Sequence, residues 1–173
     1  QGDYLRSALR RGLELESQLG INPFQLGMIG STDAHTGLSS ADENNFHGKM
    51  ATDSIPANKD LGFGNPGGTS GWAMSASGLA AVWATENTRE AIIEAMRRRE
   101  VYATSGPRIA LRFHGAMGWD LPGDATPSEL EDALATTVPM GGELGAAEGV
   151  PTFFVEALHD PLSGTLDRIQ IIK

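Results

Sequence analysis

Cysteine is absent from the 173 residues, which excludes disulfides, thiolate metal sites and a cysteine nucleophile. The compartment stays open, because cytoplasmic and exported proteins alike can lack cysteine. Long hydrophobic runs are absent too: no stretch approaches the roughly 20 apolar residues needed to cross a bilayer, so no membrane association is expected. Positive charge is scarce. The chain sets 13 Lys and Arg against 22 Asp and Glu, a formal net charge of -9, which argues against a nucleic-acid partner because phosphate backbones bind clustered cations. The one basic run, Arg97-Arg98-Arg99, falls at an expected helix end, where cations complement the helix dipole, and is read as structural. There is no internal repeat, and despite 22 glycines no segment has the spacing of a P-loop, a dinucleotide fingerprint or a G-x-S-x-G elbow. Neither a nucleotide cofactor nor a serine hydrolase is indicated. The start, Gln1-Gly2-Asp3, carries no initiator Met or signal pattern, and the end falls inside the apolar run Ile169-Gln170-Ile171-Ile172, so a piece cut at both ends is expected.

What is present is an apolar fraction of 40%, in runs separated by turn residues, over a length that suits one domain or one domain with an appendage. Residues 4–19 place Leu5, Ala8, Leu9, Leu13 and Leu15 at mostly helical spacing, with Asp3 as cap and Gly20 as stop. After Asn22-Pro23, the apolar run Phe24-Gln25-Leu26-Gly27-Met28-Ile29-Gly30 predicts a buried strand. Residues 36–71 are rich in Gly, Asn, Ser, Asp and Pro and form a loop long enough to be functional or mobile. Residues 79–84 predict a second strand and 88–99 a helix, with Asn87 and Glu90 spaced as a capping box and Ala91, Ile92, Ala95 and Met96 on the buried face. A further strand at 101–103 ends in the turn Thr104-Ser105-Gly106-Pro107. This alternation reads as α/β. After Arg108, short apolar runs at 109–113 and 153–157, separated by Gly and Pro turns, predict the strands of a β-rich appendage. Trp72, Trp83 and Trp119 are read as core or subunit packing.

Asp33 and His35 offer a carboxylate and an imidazole two residues apart, directly after the predicted strand 24–30. At a strand end both side chains can turn toward one point, and carboxylate oxygen with imidazole nitrogen suits zinc, manganese or iron. Spacing alone favours a plainer account, in which Asp33 caps a turn and His35 is a surface histidine. His47 and Lys49 lie in the long loop beside this face, where they could contact an anionic substrate or supply a proton; solvated loop residues are the simpler alternative. Thr104-Ser105-Gly106 could offer backbone amides to a phosphate, though a connecting turn explains it as well. His114 and His159, each without a cluster of further ligands, are read as structural.

The segment Asn22-Pro23-Phe24 through Gly30-Ser31-Thr32-Asp33-Ala34-His35-Thr36-Gly37 resembles the final metal-binding motif of the PHP superfamily, named for polymerase and histidinol phosphatase. Within it the chain is similar to domain-of-unknown-function family 3604. Asn45-Phe46-His47-Gly48-Lys49, the run from Thr88-Arg89-Glu90-Ala91 to Tyr102-Ala103-Thr104-Ser105-Gly106, Val138-Pro139-Met140-Gly141-Gly142 and Leu166-Asp167-Arg168-Ile169-Gln170-Ile171 carry that similarity along nearly the whole chain. The resemblance implies the last strands and helices of a distorted (β/α) barrel over residues 1–108, including the loop at 36–71, followed by a β-rich appendage over 109–173. It carries over Asp33 and His35 as metal ligands. The opening His-x-His motif and the middle ligands of the superfamily would lie before Gln1, so two ligands alone should bind metal weakly or not at all. The implied activity is metal-dependent hydrolysis of a small anionic phosphoester by metal-activated water, with this piece inactive by itself. The alternative is a non-catalytic binding or oligomerisation module. If the barrel is incomplete, its exposed strand edges and apolar faces predict self-association.

Overall fold

The computed structural model describes residues 4–37, 48–52, 54–60, 68–74, 78–120, 123–145 and 149–172. Over these residues it is a mixed α/β structure with three α-helices and two small sheets. The first helix, α1 (Leu5–Leu19), ends where Gly20 turns left-handed at φ 72° and returns its N–H to the Glu16 carbonyl, as its glycine stop predicts. Asp3 lies outside the described residues, and the N-cap Tyr4 makes no side-chain capping bond. Gly12 packs where a Cβ would lie 2.2 Å from Asn22 Oδ1, so the chain folds back closely on the helix. Of the leucines on the expected apolar face, Leu9 and Leu15 are half-buried, whereas Leu5 and Leu13 remain exposed.

The run 24–30 departs from expectation: it forms no strand. It does pass beside a later strand. A Cβ at Gly27 would lie 2.8 Å from Val101 Cγ2, and one at Gly30 would lie 2.8 Å from the Leu79 carbonyl and 3.0 Å from that of Thr104. The segment therefore runs in the same direction as residues 101–104, in contact but without a ladder. An apolar run signals burial, and becomes a strand only when a neighbour offers backbone partners in register.

The first sheet pairs β1 (Leu79–Val82) antiparallel with β2 (Val101–Thr104), Leu79 opposite Thr104 and Val82 opposite Val101. Between them lies α2 (Arg89–Arg97). Its cap is Thr88, whose hydroxyl accepts from the Ala91 N–H, one residue later than the expected Asn87 box. Both residue types suit a cap, and the same three-residue spacing recurs from either start. Ala95 is fully buried on the expected face, whereas Met96 is 45% exposed. The basic run is structural, as expected. Arg97 pairs with Glu94 and Arg98 with Glu100. Arg99, left-handed at φ 63°, donates from Nε to the Gly141 carbonyl at 2.8 Å and faces Glu143 at 3.4 Å. Gly141 must be glycine there, since φ is +82° and a Cβ would lie 2.3 Å from the Arg99 carbonyl oxygen.

The second sheet has the order β4-β3-β5, all antiparallel, from β3 (Ala110–Met117), β4 (Val138–Pro139) and β5 (Pro151–Leu158). Its register runs from Ala110 opposite Leu158 to Met117 opposite Pro151. The helix α3 (Pro127–Leu134) between β3 and β4 is an addition to the expected strands. Its start has a complete capping box, Thr126 with Glu129, and proline in the first turn. Arg112 of β3 forks onto Glu131 of α3 at 2.7 and 2.9 Å and reaches Glu156 of β5 at 3.5 Å, tying the helix to the sheet.

Two side chains join the sheets. The Tyr102 hydroxyl donates to the Ile109 carbonyl at 2.8 Å and accepts from the Leu111 N–H at 3.2 Å, while Trp83 Nε1 donates to the Leu111 carbonyl at 2.8 Å. Trp83, read from the sequence as core or subunit packing, is thus a bridge, 40% exposed; Trp119 meets Phe154 edge-on at 6.4 Å, and the Trp72 side chain lies outside the description. The β3 backbone beyond the short β4 is satisfied by these side chains instead of by another strand. Among the described residues the only buried hydrophobic side chains are Ala95 and Leu134, so this junction has little core beneath it. Tyr102→Phe removes both hydroxyl bonds and leaves the Leu111 N–H without its partner. It should cost about 1–3 kcal/mol, read as a lowered midpoint in urea unfolding; an unchanged midpoint would show that the sheets are joined by other means.

Candidate functional site

Gly30 and Ser31 are pressed onto the end of the first sheet. A Cβ at Gly78, just before β1, would lie 2.0 Å from the Ser31 carbonyl oxygen, so only glycine admits this approach. The turn that follows, residues 31–37, is consequently presented at the carboxyl end of β2. Within it the Asp33 N–H donates to Ser31 Oγ at 3.2 Å, and Asp33 itself is left-handed at φ 54°. Aspartate tolerates that region better than most residues because its short side chain bonds locally.

Three residues then close a ring of contacts. His35 Nδ1 lies 2.9 Å from the Asp33 carbonyl oxygen; since a carbonyl can only accept, Nδ1 is the donor in this contact. The His35 N–H donates to the Lys49 carbonyl at 2.6 Å. Lys49 Nζ returns to Asp33 Oδ2 at 2.9 Å. Asp33 is 65% exposed and Lys49 31%, so the pair stands at the surface, more sheltered on the lysine side. The hydrogen bond from Lys49, with its charge, holds the Asp33 carboxyl below the usual carboxylate range.

The structure thus brings together Asp33, His35 and Lys49 from positions 16 or fewer residues apart. Their proximity to His47 is a different matter, because His47 lies outside the described residues. What sequence reasoning missed is the direct Lys49–Asp33 contact, for which the only advance signal was a lone cation in a loop returning toward the motif. His114 and His159 sit apart from this cluster. His114 bonds Thr137 Oγ1 through Nδ1 at 2.9 Å, and burial lowers its pKa. It borders a cavity of about 400 Å³ at the junction of the two sheets, with Trp83, Arg112, Glu131 and Met140; Arg112 and Glu131 are already paired there. At the end of β2 the Gly106 N–H is directed to Thr104 Oγ1 at 3.3 Å, which makes the Thr104-Ser105-Gly106 segment a self-bonded turn.

The donor types at Asp33 and His35 suit zinc, manganese or iron, and a Nδ1–H held by a carbonyl is the usual support of a metal-binding histidine. The number of donors does not suffice. Catalytic zinc takes about three protein ligands, and among the described residues no group of three or more His, Asp or Glu side chains is placed to hold an ion. One Asp33 oxygen is moreover engaged by an ammonium. The described residues by themselves therefore do not make a metal centre. No helix among them is long and apolar enough to cross a membrane.

The family described as protein of unknown function (DUF3604) matches residues 1–173. No curated protein and no solved structure matches the chain.

Because the folded-state pKa of Asp33 is depressed, the Asp33–Lys49 attraction is fully present above the ordinary carboxylate range and is lost as pH falls through the lowered value. Lys49→Met should return Asp33 toward that ordinary range. A pH titration of the Asp33 side-chain carboxyl by carbon NMR reads this directly, and an unmoved midpoint would mean that the ion pair is not maintained in solution.

Proposed function

We propose that this chain, which belongs to the family described as protein of unknown function (DUF3604), supplies Asp33 and His35 to the metal site of a PHP-like, metal-dependent hydrolase acting on small anionic phosphoesters. The observation that carries the reading is the closed Asp33–His35–Lys49 arrangement, which keeps a carboxylate and an imidazole on one surface turn. The metal is zinc, manganese or iron, and its remaining ligands come from outside the described residues. The position of the turn supports a barrel. Residues 25–30 run in the same direction as β2 and deliver Asp33 at its carboxyl end, the end at which parallel (β/α) barrels build their sites. On this reading residues up to 108 belong to the barrel and 109–173 to a β-rich appendage. On this reading the described residues by themselves do not supply enough ligands for turnover.

The test uses the native protein that carries this chain. Elemental analysis should find bound divalent metal, and hydrolysis of p-nitrophenyl phosphate should depend on it. Asp33→Ala should lower that turnover by more than the about 10–100-fold that loss of an outer-shell partner costs. Full activity in this variant would remove Asp33 from the site.

A second reading, a non-catalytic binding or oligomerisation module, is favoured by one observation: apolar side chains such as Leu13, Leu26, Ile29, Phe153 and Ile171 are exposed while Ala95 and Leu134 alone are buried among the described hydrophobics. Such a module should self-associate in sedimentation equilibrium to the same extent with or without EDTA and with or without Asp33. Association that responds to metal and to Asp33→Ala would count against it.

A further inference from the structure

The cavity of about 400 Å³ at the junction of the two sheets is walled by side chains from separate elements. Trp83 enters just after β1, Glu131 from α3, and Pro139 with Met140 at β4. Arg112 and His114, two residues apart on β3, share one face of that strand, and Pro139 stands opposite His114 in register. Each charge on the wall is already neutralised within the protein. The Arg112 guanidinium forks onto Glu131 at 2.7 and 2.9 Å, and Glu100 is forked by Arg98 at 2.8 and 3.1 Å. A charged guest would have to break one of these pairs or lie unpaired at the junction, a cost that an uncharged one does not meet.

Trp83 gives its N–H to the Leu111 carbonyl at 2.8 Å, so what it offers the cavity is the apolar ring, beside the Pro139 ring and the Met140 thioether. Such surfaces suit a flat aromatic guest. His114 supplies the polar contact. Its Nδ1 lies 2.9 Å from Thr137 Oγ1, and that hydroxyl gives its own proton to the Leu134 carbonyl at 2.7 Å, so Nδ1 is the donor. Burial, and after it the Arg112 charge, hold the imidazole below its ordinary pKa. The ring is therefore neutral at neutral pH and Nε2 is an acceptor. Among the described residues no hydrogen bond is formed at Nε2. Thr137 does not line the cavity, so the opposite edge of the ring, with Nε2, is the one that borders it. We propose that this cavity binds a small uncharged phenol, with its ring against Trp83 and Met140 and its hydroxyl donating to His114 Nε2. The volume lies at the low end of the roughly 300–1,000 Å³ of ligand pockets, which suits one substituted ring. The site is independent of the metal reading, since it uses neither Asp33 nor His35.

The experiment is titration with p-cresol of the native protein that carries this chain, labelled with ¹³C in its methionine methyl groups. The Met140 signal is assigned by its loss in Met140→Leu. p-Cresol should move that signal saturably. 4-Methylanisole, the same ring without the hydroxyl proton, should bind about tenfold more weakly, as befits one lost hydrogen bond. 4-Methylbenzoate should also bind at least about tenfold more weakly, because the walls hold no unpaired charge for it. In His114→Phe, with its fold checked by circular dichroism, p-cresol and 4-methylanisole should bind equally. A Met140 signal unmoved by p-cresol would overturn the proposal. Equal affinity of the wild type for p-cresol and 4-methylanisole would overturn it as well, and neither result needs His114→Phe to fold. Tighter binding of 4-methylbenzoate would contradict it by making Arg112 the recognising group, and a preference for p-cresol that survives in folded His114→Phe would remove His114 from the site.

Discussion

The hydrogen bonds from Tyr102 and Trp83 to the backbone at Ile109 and Leu111 are what the arrangement of this chain depends on. A two-stranded sheet is marginal by itself, and needs a further strand or a packed helix. Here β1 and β2 gain α2 on one side and, through two aromatic side chains, the edge of β3. The hydroxyl and indole N–H replace the ladder bonds that β4, only two residues long, does not extend far enough to make. Because hydrophobic burial is slight, with Ala95 and Leu134 alone buried among the described hydrophobics, directional bonds set the relation between the halves. Arg99 makes the second such tie, reaching Gly141 across 42 positions of sequence.

The candidate site inherits its place from that frame. Glycines at 30 and 78 let the backbone of residues 30–31 press against the ends of β1 and β2, and the turn beyond projects Asp33 and His35 at the carboxyl end of β2. The contacts within the turn are local, and Lys49 closes them from the following loop. Asp33 takes the left-handed conformation that aspartate tolerates, with its carboxylate exposed and the Lys49 ammonium against it. Among the described residues no group of three or more His, Asp or Glu side chains is placed to hold an ion.

Much of the local structure was legible in the residues. The glycine stop of α1, the strands around 79–82 and 101–104, the helix between them and the strands β3 and β5 all follow from periodicity and turn chemistry, because those signals act over a few residues. Errors arose where a choice depended on distant partners. The run 24–30 is apolar enough for a strand, but whether it pairs is decided by what lies beside it. Thr126-Pro127-Ser128-Glu129 announces helix α3, but the surrounding Gly and Pro read equally as turns between strands. Trp83 was assigned to packing because composition cannot show an indole N–H reaching a carbonyl 28 residues away. At the site, Asp33 and His35 stood out through their motif, while the contact of Lys49 with Asp33 depended on the course of a loop with no periodic pattern.

The central claim is that Asp33 and His35 bind one divalent metal completed by ligands from outside the described residues. Its most direct test is a crystal structure of the metal-loaded native protein, with the ion located by anomalous scattering. The account predicts one ion within about 2.0–2.2 Å of both an Asp33 carboxylate oxygen and His35 Nε2. An ion bound elsewhere, with neither Asp33 nor His35 among its ligands, would contradict it.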